Sequence, residues 1–468
     1  MFGKSERIWK MKKGNVMGTM PIPKLLASIS VPIIISMLVQ ALYNIVDSIF
    51  VARFDNLAGT GALTVAFPIQ NLMIAVAVGL AVGMNALLSR ALGQKDFDRA
   101  NLIAGQGLFL SVCGYLLFLA IGLFFLPTII NAQISGGEGS ALLYEYSYDY
   151  LSTICIFSLG VFIQVTMERY LQATGKAIFS MVIQLSGAII NLILDPIFIF
   201  TLGMGVRGAA IATVIGQFFA GGLGILINVL YNKDIRLIPK NFLPRLEPIK
   251  DILVIGIPSV LMQAIGSVMT FSMNKILIAF GNEALNVFGI YFKIQSFIFM
   301  PIFGLVSGMV PIIAYNYGAK KRKRIMDTVR LSSIAAMAYM ALGLILFNLI
   351  PGALLSIFNA TDNILTIGKA ALRTISLSFV FAGFGIVTSN FCQALGKSIY
   401  SLISSVGRQL VVLIPVAYLL ALTGRVEAVW WAFPISEIMS LILSIFFFLR
   451  VSHKLVPKGF GEGEPEID

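Results

Sequence analysis

The sequence predicts an all-α membrane protein: twelve transmembrane helices in two parallel six-helix repeats. Three observations predict it. The first is composition: of 468 residues, 58% are hydrophobic and only 12% charged, with a mean hydropathy of +0.90. A soluble domain carries roughly 25% charged residues and needs no such apolar excess. The second is a series of twelve apolar runs. Each spanning helix takes about 20 residues, so twelve use about 240 and leave ample chain for turns and tails. The third is an internal repeat. Together they exclude a nucleic-acid-binding domain, a secreted disulfide scaffold and a dehydrogenase-like fold.

The runs lie between polar breaks. In the first half they cover 25–52, 60–88, 102–126, 148–170, 177–201 and 208–231. In the second half they cover 252–280, 287–314, 330–350, 370–392, 399–422 and 428–450. Several exceed the bilayer minimum, which predicts tilt or kinks. The three cysteines, Cys113, Cys155 and Cys392, sit inside apolar runs and read as small buried hydrophobes. The lone histidine, His453, follows the last run, too little for a zinc site or a Ser/His/Asp triad. No Gly-rich Walker motif suggests ATP drive, and no enzyme is expected. The N-terminus has basic residues but no short apolar run with a cleavage site, so the first helix is expected to be retained.

The net charge of +12 reads as basic cytoplasmic loops. One side of the twelve-helix topology collects 26 Lys and Arg, against 5 on the other. The richer side holds the N-terminal tail (Lys4, Arg7, Lys10, Lys12, Lys13, Lys24), the even-numbered loops and the C-terminal side (Arg450, Lys454, Lys458). Both termini are therefore expected in the cytoplasm of a multi-pass cell-membrane protein. The run Lys320–Arg324 reads as a cytoplasmic anchor.

The repeat has one register. Gly79–Gly93 matches Gly304–Gly318 at 5 of 15 positions, and Leu171–Ser180 matches Cys392–Ser401 at 6 of 10. Pro32 aligns with Pro258, and the three offsets are 225, 221 and 226. Six helices per repeat is an even number, so both repeats start on the same side, related by a pseudo-two-fold along the membrane normal. The expected organisation is a tail (1–24), an N-terminal lobe (25–231), a cytoplasmic linker (232–250), a C-terminal lobe (251–450) and a second tail (451–468). Two lobes around a cleft suit alternating access better than a plain channel.

Intramembrane carboxylates are costly, starting near 2.5 kcal/mol for Asp at a helix centre, and so point to function. Asp47 lies in the first run and Asp195 in the fifth. Asn191 and Asp195 stand four apart and share a helix face. Pro196 releases the carbonyl of Leu192 from helix bonding, and Thr213 in the sixth run offers a hydroxyl. Hard oxygens of this kind suit a small cation, and carboxylates suit protons. The second half places Met273, Val412 and Val416 at the matching positions. Its polar exceptions are basic. Lys275 reads as snorkelling. Lys293 either snorkels or faces the cleft. Arg408 reads as an ion pair with Glu437 at similar depth. Glu168 reads as interfacial, at the end of the fourth run beside Arg169. The 19 Met and 35 Phe would suit a greasy, adaptable cleft, a weak signal in so apolar a chain.

These residues resemble the multidrug and toxic compound extrusion (MATE) family, in its bacterial branch of cation-coupled exporters. The resemblance rests on Pro32 with Asp47, Ala66-Phe-Pro-Ile-Gln, Gly93-Gln-Lys, Gln172-Ala-Thr-Gly-Lys, Asn191 to Asp195-Pro, Thr213, Tyr291-Phe-Lys-Ile-Gln-Ser-Phe and Tyr315-Asn-Tyr-Gly-Ala. It implies a V-shaped pair of lobes and antiport of Na⁺ or H⁺ against amphipathic organic cations, with no cofactor beyond the coupling ion. It also implies a coupling site at Asp47, Asn191, Asp195 and Thr213, and a cavity lined by Gln40. Lys293 is the basic candidate for the substrate cavity. The apolar runs of helices seven, eight and ten lack acids, a departure from relatives that place essential carboxylates in the C-terminal lobe. Expected partners are drug-like small molecules and the bilayer, with no nucleic acid and a monomeric state. Two other readings stay open: a lipid-linked oligosaccharide flippase of the same superfamily, and a passive channel or non-transporting membrane protein.

Overall fold

The computed structural model describes residues 15–55, 58–134, 140–358, 361–457 and 459–460. The basic residues Lys4, Arg7, Lys10, Lys12, Lys13 and Lys458 lie outside them. The described residues form helices and turns, with no β-strand among them. Ten helices are long and apolar enough to cross a membrane, and two bent pairs bring the number to twelve. The spans of the first half are Ile22–Phe54, Ala58–Gly93, Phe97–Asn131, the pair Ser140–Ile156 with Leu159–Ala173, Ala177–Thr201 and Gly205–Tyr231. Those of the second half are Leu246–Phe280, Asn282–Gly318, Arg322–Leu349, the pair Asp362–Ser376 with Phe379–Ala394, Ser398–Ala421 and Val426–Leu455. Each of the twelve apolar runs falls on one span. Large side chains such as Phe124 and Leu349 point outward, as a lipid-facing surface requires. Cys155 and Cys392 are buried, but Cys113 is on the exposed face of span three.

The departures from straight helix have local causes. Wider π-turns occupy Ile121–Phe125, Ile197–Thr201 and Gly407–Leu413. Each lies within two residues of a proline, Pro127, Pro196 or Pro415, that withholds a backbone donor. Spans four and ten bend by 47° and 48° at equivalent places. In each bend a serine closes the turn: Ser158 Oγ donates to the Cys155 carbonyl and Ser378 Oγ to that of Ile375.

The two halves meet through glycines, and the contacts obey the repeat. A Cβ on Gly93 would stand 1.9 Å from the Tyr315 carbonyl oxygen, and one on Gly318 would stand 2.1 Å from that of Arg90. Both pairs are related by the same offset of 225. Further along, Gly79 packs on Val260 and Gly304 on Ile34. Spans two and eight thus meet at the end that carries the basic loops, and spans two and seven, and one and eight, cross as symmetry equivalents nearer mid-span. Asn71 Nδ2 donates to Ser267 Oγ at 2.9 Å, extending the contact between halves.

Polar straps close that same basic end. Gln106 Nε2 donates to the carbonyls of Asn241 and Leu243, and its Oε1 accepts from the Arg245 amide. They fasten the segment between the halves to span three. The short helix Val16–Thr19 is seated on spans eight and nine. Asn316 and Arg324 donate to the Met17 carbonyl, Arg324 also to that of Met20, and Lys321 to that of Gly18. The basic run after span eight, expected only as an anchor, therefore also holds the start of the described chain.

Candidate functional site

Span five runs as regular α-helix to Pro196 and then widens into a π-turn. On its inward face Asn191 and Asp195 are both buried, Asp195 completely. Asn191 Nδ2 donates to Asp195 Oδ1 at 3.1 Å and to Thr213 Oγ1 of span six at 3.3 Å. A glycine contact makes the approach possible: Gly216 of span six faces the Gly187 carbonyl and Asn191 Cβ. Asp47 comes from span one and lies within direct interaction range of Asp195. Asp47, Asn191, Asp195 and Thr213, drawn from three spans, form one cluster in the first half.

Three oxygens of this cluster lack a hydrogen-bond donor: Asp47 Oδ1, Asn191 Oδ1 and Asp195 Oδ2. Buried polar atoms are almost always satisfied, so three orphaned acceptors in one cluster leave a place for a positive partner. No lysine or arginine forms an ion pair with either carboxyl among the described residues. The donor set is all oxygen, which suits a proton or a small hard cation rather than a transition metal.

A family model described as MatE matches residues 32–197 and 258–419, most of both halves. The chain belongs to the MATE family. It is similar to the multidrug export protein MepA of Staphylococcus haemolyticus, 28% identical over 92% of this chain and 94% of that protein. MepA of Staphylococcus aureus is 26% identical over 93% and 94% of the two chains. A solved MATE structure in complex with MaL6 superposes with a TM-score of 0.87 at 26% identity, covering 94% of this chain and 98% of that one. A structure described as the outward-facing conformation of a multidrug resistance MATE family transporter gives 0.86 at 26% identity with the same coverage.

The remaining candidates of this MATE chain are placed apart from the cluster. Gln40 is half-buried on span one, two turns before Asp47 on the same face. Lys293 is exposed on span eight, with Nζ 5.8 Å from the centre of the Phe358 ring. Lys275 is likewise exposed over the Phe271 ring. Arg408 and Glu437 form the expected ion pair, 3.1 Å apart, with Glu437 buried.

Other neighbours were not singled out from the sequence. Tyr43 and Tyr150 lie in the field of both aspartates, and Gln70 is hydrogen-bonded to Tyr150. Gln70 closes the Ala66-Phe-Pro-Ile-Gln motif, which was its only signal. Glu168 is not at a helix end. Its helix continues to Ala173, and its carboxylate accepts from Gln164 Nε2 at 3.0 Å.

Proposed function

We propose that the protein is a secondary active multidrug exporter that exchanges a monovalent cation, Na⁺ or H⁺, for amphipathic organic cations by alternating access. The observation that carries this reading is the cluster of unpartnered oxygens on Asp47, Asn191 and Asp195, backed by Thr213. A site that binds positive charge in one half, and none at the matching Met273, Val412 and Val416, assigns coupling to the N-terminal lobe (25–231). The C-terminal lobe (251–450) then serves as the surface against which the first lobe moves. Lys and Arg counts set both termini and the linker (232–250) in the cytoplasm. The tightest glycine contacts, at Gly93 and Gly318, sit at that end, and on this reading the conformation is the one closed to the cytoplasm.

The mechanism follows from competition. A cationic substrate and the coupling ion both seek the carboxylates, so each displaces the other. Each also stabilises one orientation of the lobes, and the shift is limited to its differential affinity for the two. The flippase reading needs basic groups for a pyrophosphate, but Arg408 is committed to Glu437 and Lys293 rests beside Phe358. Liposomes holding a fluorescent organic cation, with an imposed Na⁺ or H⁺ gradient, test the reading. Uphill dye movement driven by one gradient is expected. Dye movement only down its own gradient would mean a channel. Translocation of a lipid-linked anion without dye transport would mean a flippase.

A further inference from the structure

A polar seam leads from the aspartate cluster toward the basic end of the first half. Along span five, Ser180, Gln184, Asn191 and Asp195 share one face, and Asp195 is about 16 Å from Gln184 at 1.5 Å per residue. Span four supplies the other side. Gln164 Nε2 donates both to Glu168 Oε1 at 3.0 Å and to Gln184 Oε1 at 2.8 Å. Nearer the turn between the spans, Gln172 Nε2 donates to Ser180 Oγ at 3.4 Å. Between Gln184 and Asn191 the face of span five is Gly187 and Ala188, and span six packs on Gly187 there through Gly216 and Ala220.

Glu168 is the anomaly in this seam. Its neighbour Arg169 donates instead to Gln172 Oε1 at 2.7 Å. Among the described residues, the one hydrogen bond to the Glu168 carboxylate comes from a neutral amide. Tyr43 lies in the field of Glu168 as well as of Asp47 and Asp195. Of the charged groups on the other spans packed on span four, Arg90, Asp98, Arg99, Arg207 and Glu283 lie near the ends of their helices, Asp195 belongs to the cluster and Lys293 is exposed beside Phe358. Arg169, next in the chain, acts on Glu168 as a nearby positive charge. An ionisable group inside a spanning helix has a functional reason by default. A structural hydrogen bond to Gln164 needs only an amide.

We propose that Glu168 is a staging site for the coupling cation between the Asp47–Asp195 pair and the cytoplasm. The inference rests on the antiport reading above. A cation leaving the aspartates restores their charge, is held by the Glu168 carboxylate beside Gln164 and Gln184, and passes to water at the basic end. No other reactant is needed. The site would act on the rate of cation exchange, not on the affinity of the cleft for the organic substrate.

The test uses the full chain in liposomes with a cationic dye and an imposed gradient of the coupling ion. Glu168→Gln keeps the shape and hydrogen-bonding capacity but removes the charge. Its initial rate of driven efflux should fall about tenfold, equivalent to about 1.4 kcal/mol on the barrier. Dye affinity and unfolding temperature should stay at wild-type values, and Glu168→Asp should recover most of the rate. Gln164→Leu, which leaves the carboxylate but removes its amide, should slow efflux in the same direction. It decides the matter if Glu168→Gln does not fold. Wild-type rates in the folded variants would overturn the proposal. Loss of dye affinity or of thermal stability in step with the rate would overturn it too, by showing a structural role. Asp195→Asn is measured alongside. If it retains driven efflux, the antiport reading itself fails. If it is inactive while Glu168→Gln is normal, only the staging site falls.

Discussion

Gly93→Ala puts the contact between the halves to a quantitative test. The new Cβ would stand 1.9 Å from the Tyr315 carbonyl oxygen, a backbone atom that cannot swing aside as a side chain can. An ordinary contact needs about 3.4 Å, so the two helices must draw apart by about 1.5 Å at this point. Overpacking of this kind costs about 1–3 kcal/mol. The strain exists only where the halves touch at the basic end. The intrinsic helix preference for Ala over Gly, about 1 kcal/mol, is present in both orientations and cancels from their ratio. A penalty of about 2 kcal/mol therefore shifts the ratio of closed to open basic end by about 30-fold. Spin labels at Asp98→Cys and Lys323→Cys, both exposed and one on each half, read the separation in a background without the native cysteines. The expected result is a distance distribution moved to longer values. Gly318→Ala strains the reciprocal contact and should act alike. The double variant should be less than additive, because one separation relieves both clashes. Gly222→Ala, where a Cβ would meet open space, is the control and should leave the distances unchanged. An unaltered distribution in Gly93→Ala would refute the packing argument.

Two further outcomes are expected. Arg408→Met leaves buried Glu437 without its partner and should cost about 3 kcal/mol of stability, with Arg408→Met/Glu437→Gln recovering most of it; thermal unfolding in detergent measures both. Lys293→Ala should change the order in which cationic dyes are exported but keep the dependence on the ion gradient. An ion leak in that variant, with all dyes affected equally, would place Lys293 in the coupling machinery.

Much of the fold was legible because the bilayer imposes one solution. Apolar runs of spanning length must be helices, and all twelve are. The repeat was legible through its glycines, since Gly93 and Gly318 are fixed by reciprocal backbone approaches that no other residue fits. The bends in spans four and ten were not. They fall at Phe157-Ser158 and Leu377-Ser378, where hydropathy continues without a proline to mark a break. The wider turns were half-legible, because a proline shows which carbonyl is freed but not how the helix re-forms around it.

The cluster divides in the same way. Asn191 and Asp195 could be paired from spacing alone, and Thr213 was placed beside them as a hydroxyl in the next span. Tyr43 and Tyr150 could not be singled out, because nothing local separates them from the other tyrosines among the chain's 14. The surroundings of Glu168 were only partly legible, for a physical reason. Adjacency to Arg169 suggests a surface pair, but consecutive helical residues point about 100° apart, and Arg169 reaches Gln172 instead.

If the buried oxygens around Asp195 bind the coupling cation, removing the charge there must abolish driven efflux. Asp195→Asn removes the charge with almost no change in volume, so no cavity forms. Purified, folded variant and wild type are reconstituted at equal density, and uphill efflux of a cationic dye is followed under the imposed Na⁺ or H⁺ gradient that drives the wild type. The expected result is that driven efflux is lost in the variant while its unfolding temperature stays near that of the wild type. Driven efflux at the wild-type rate would contradict it.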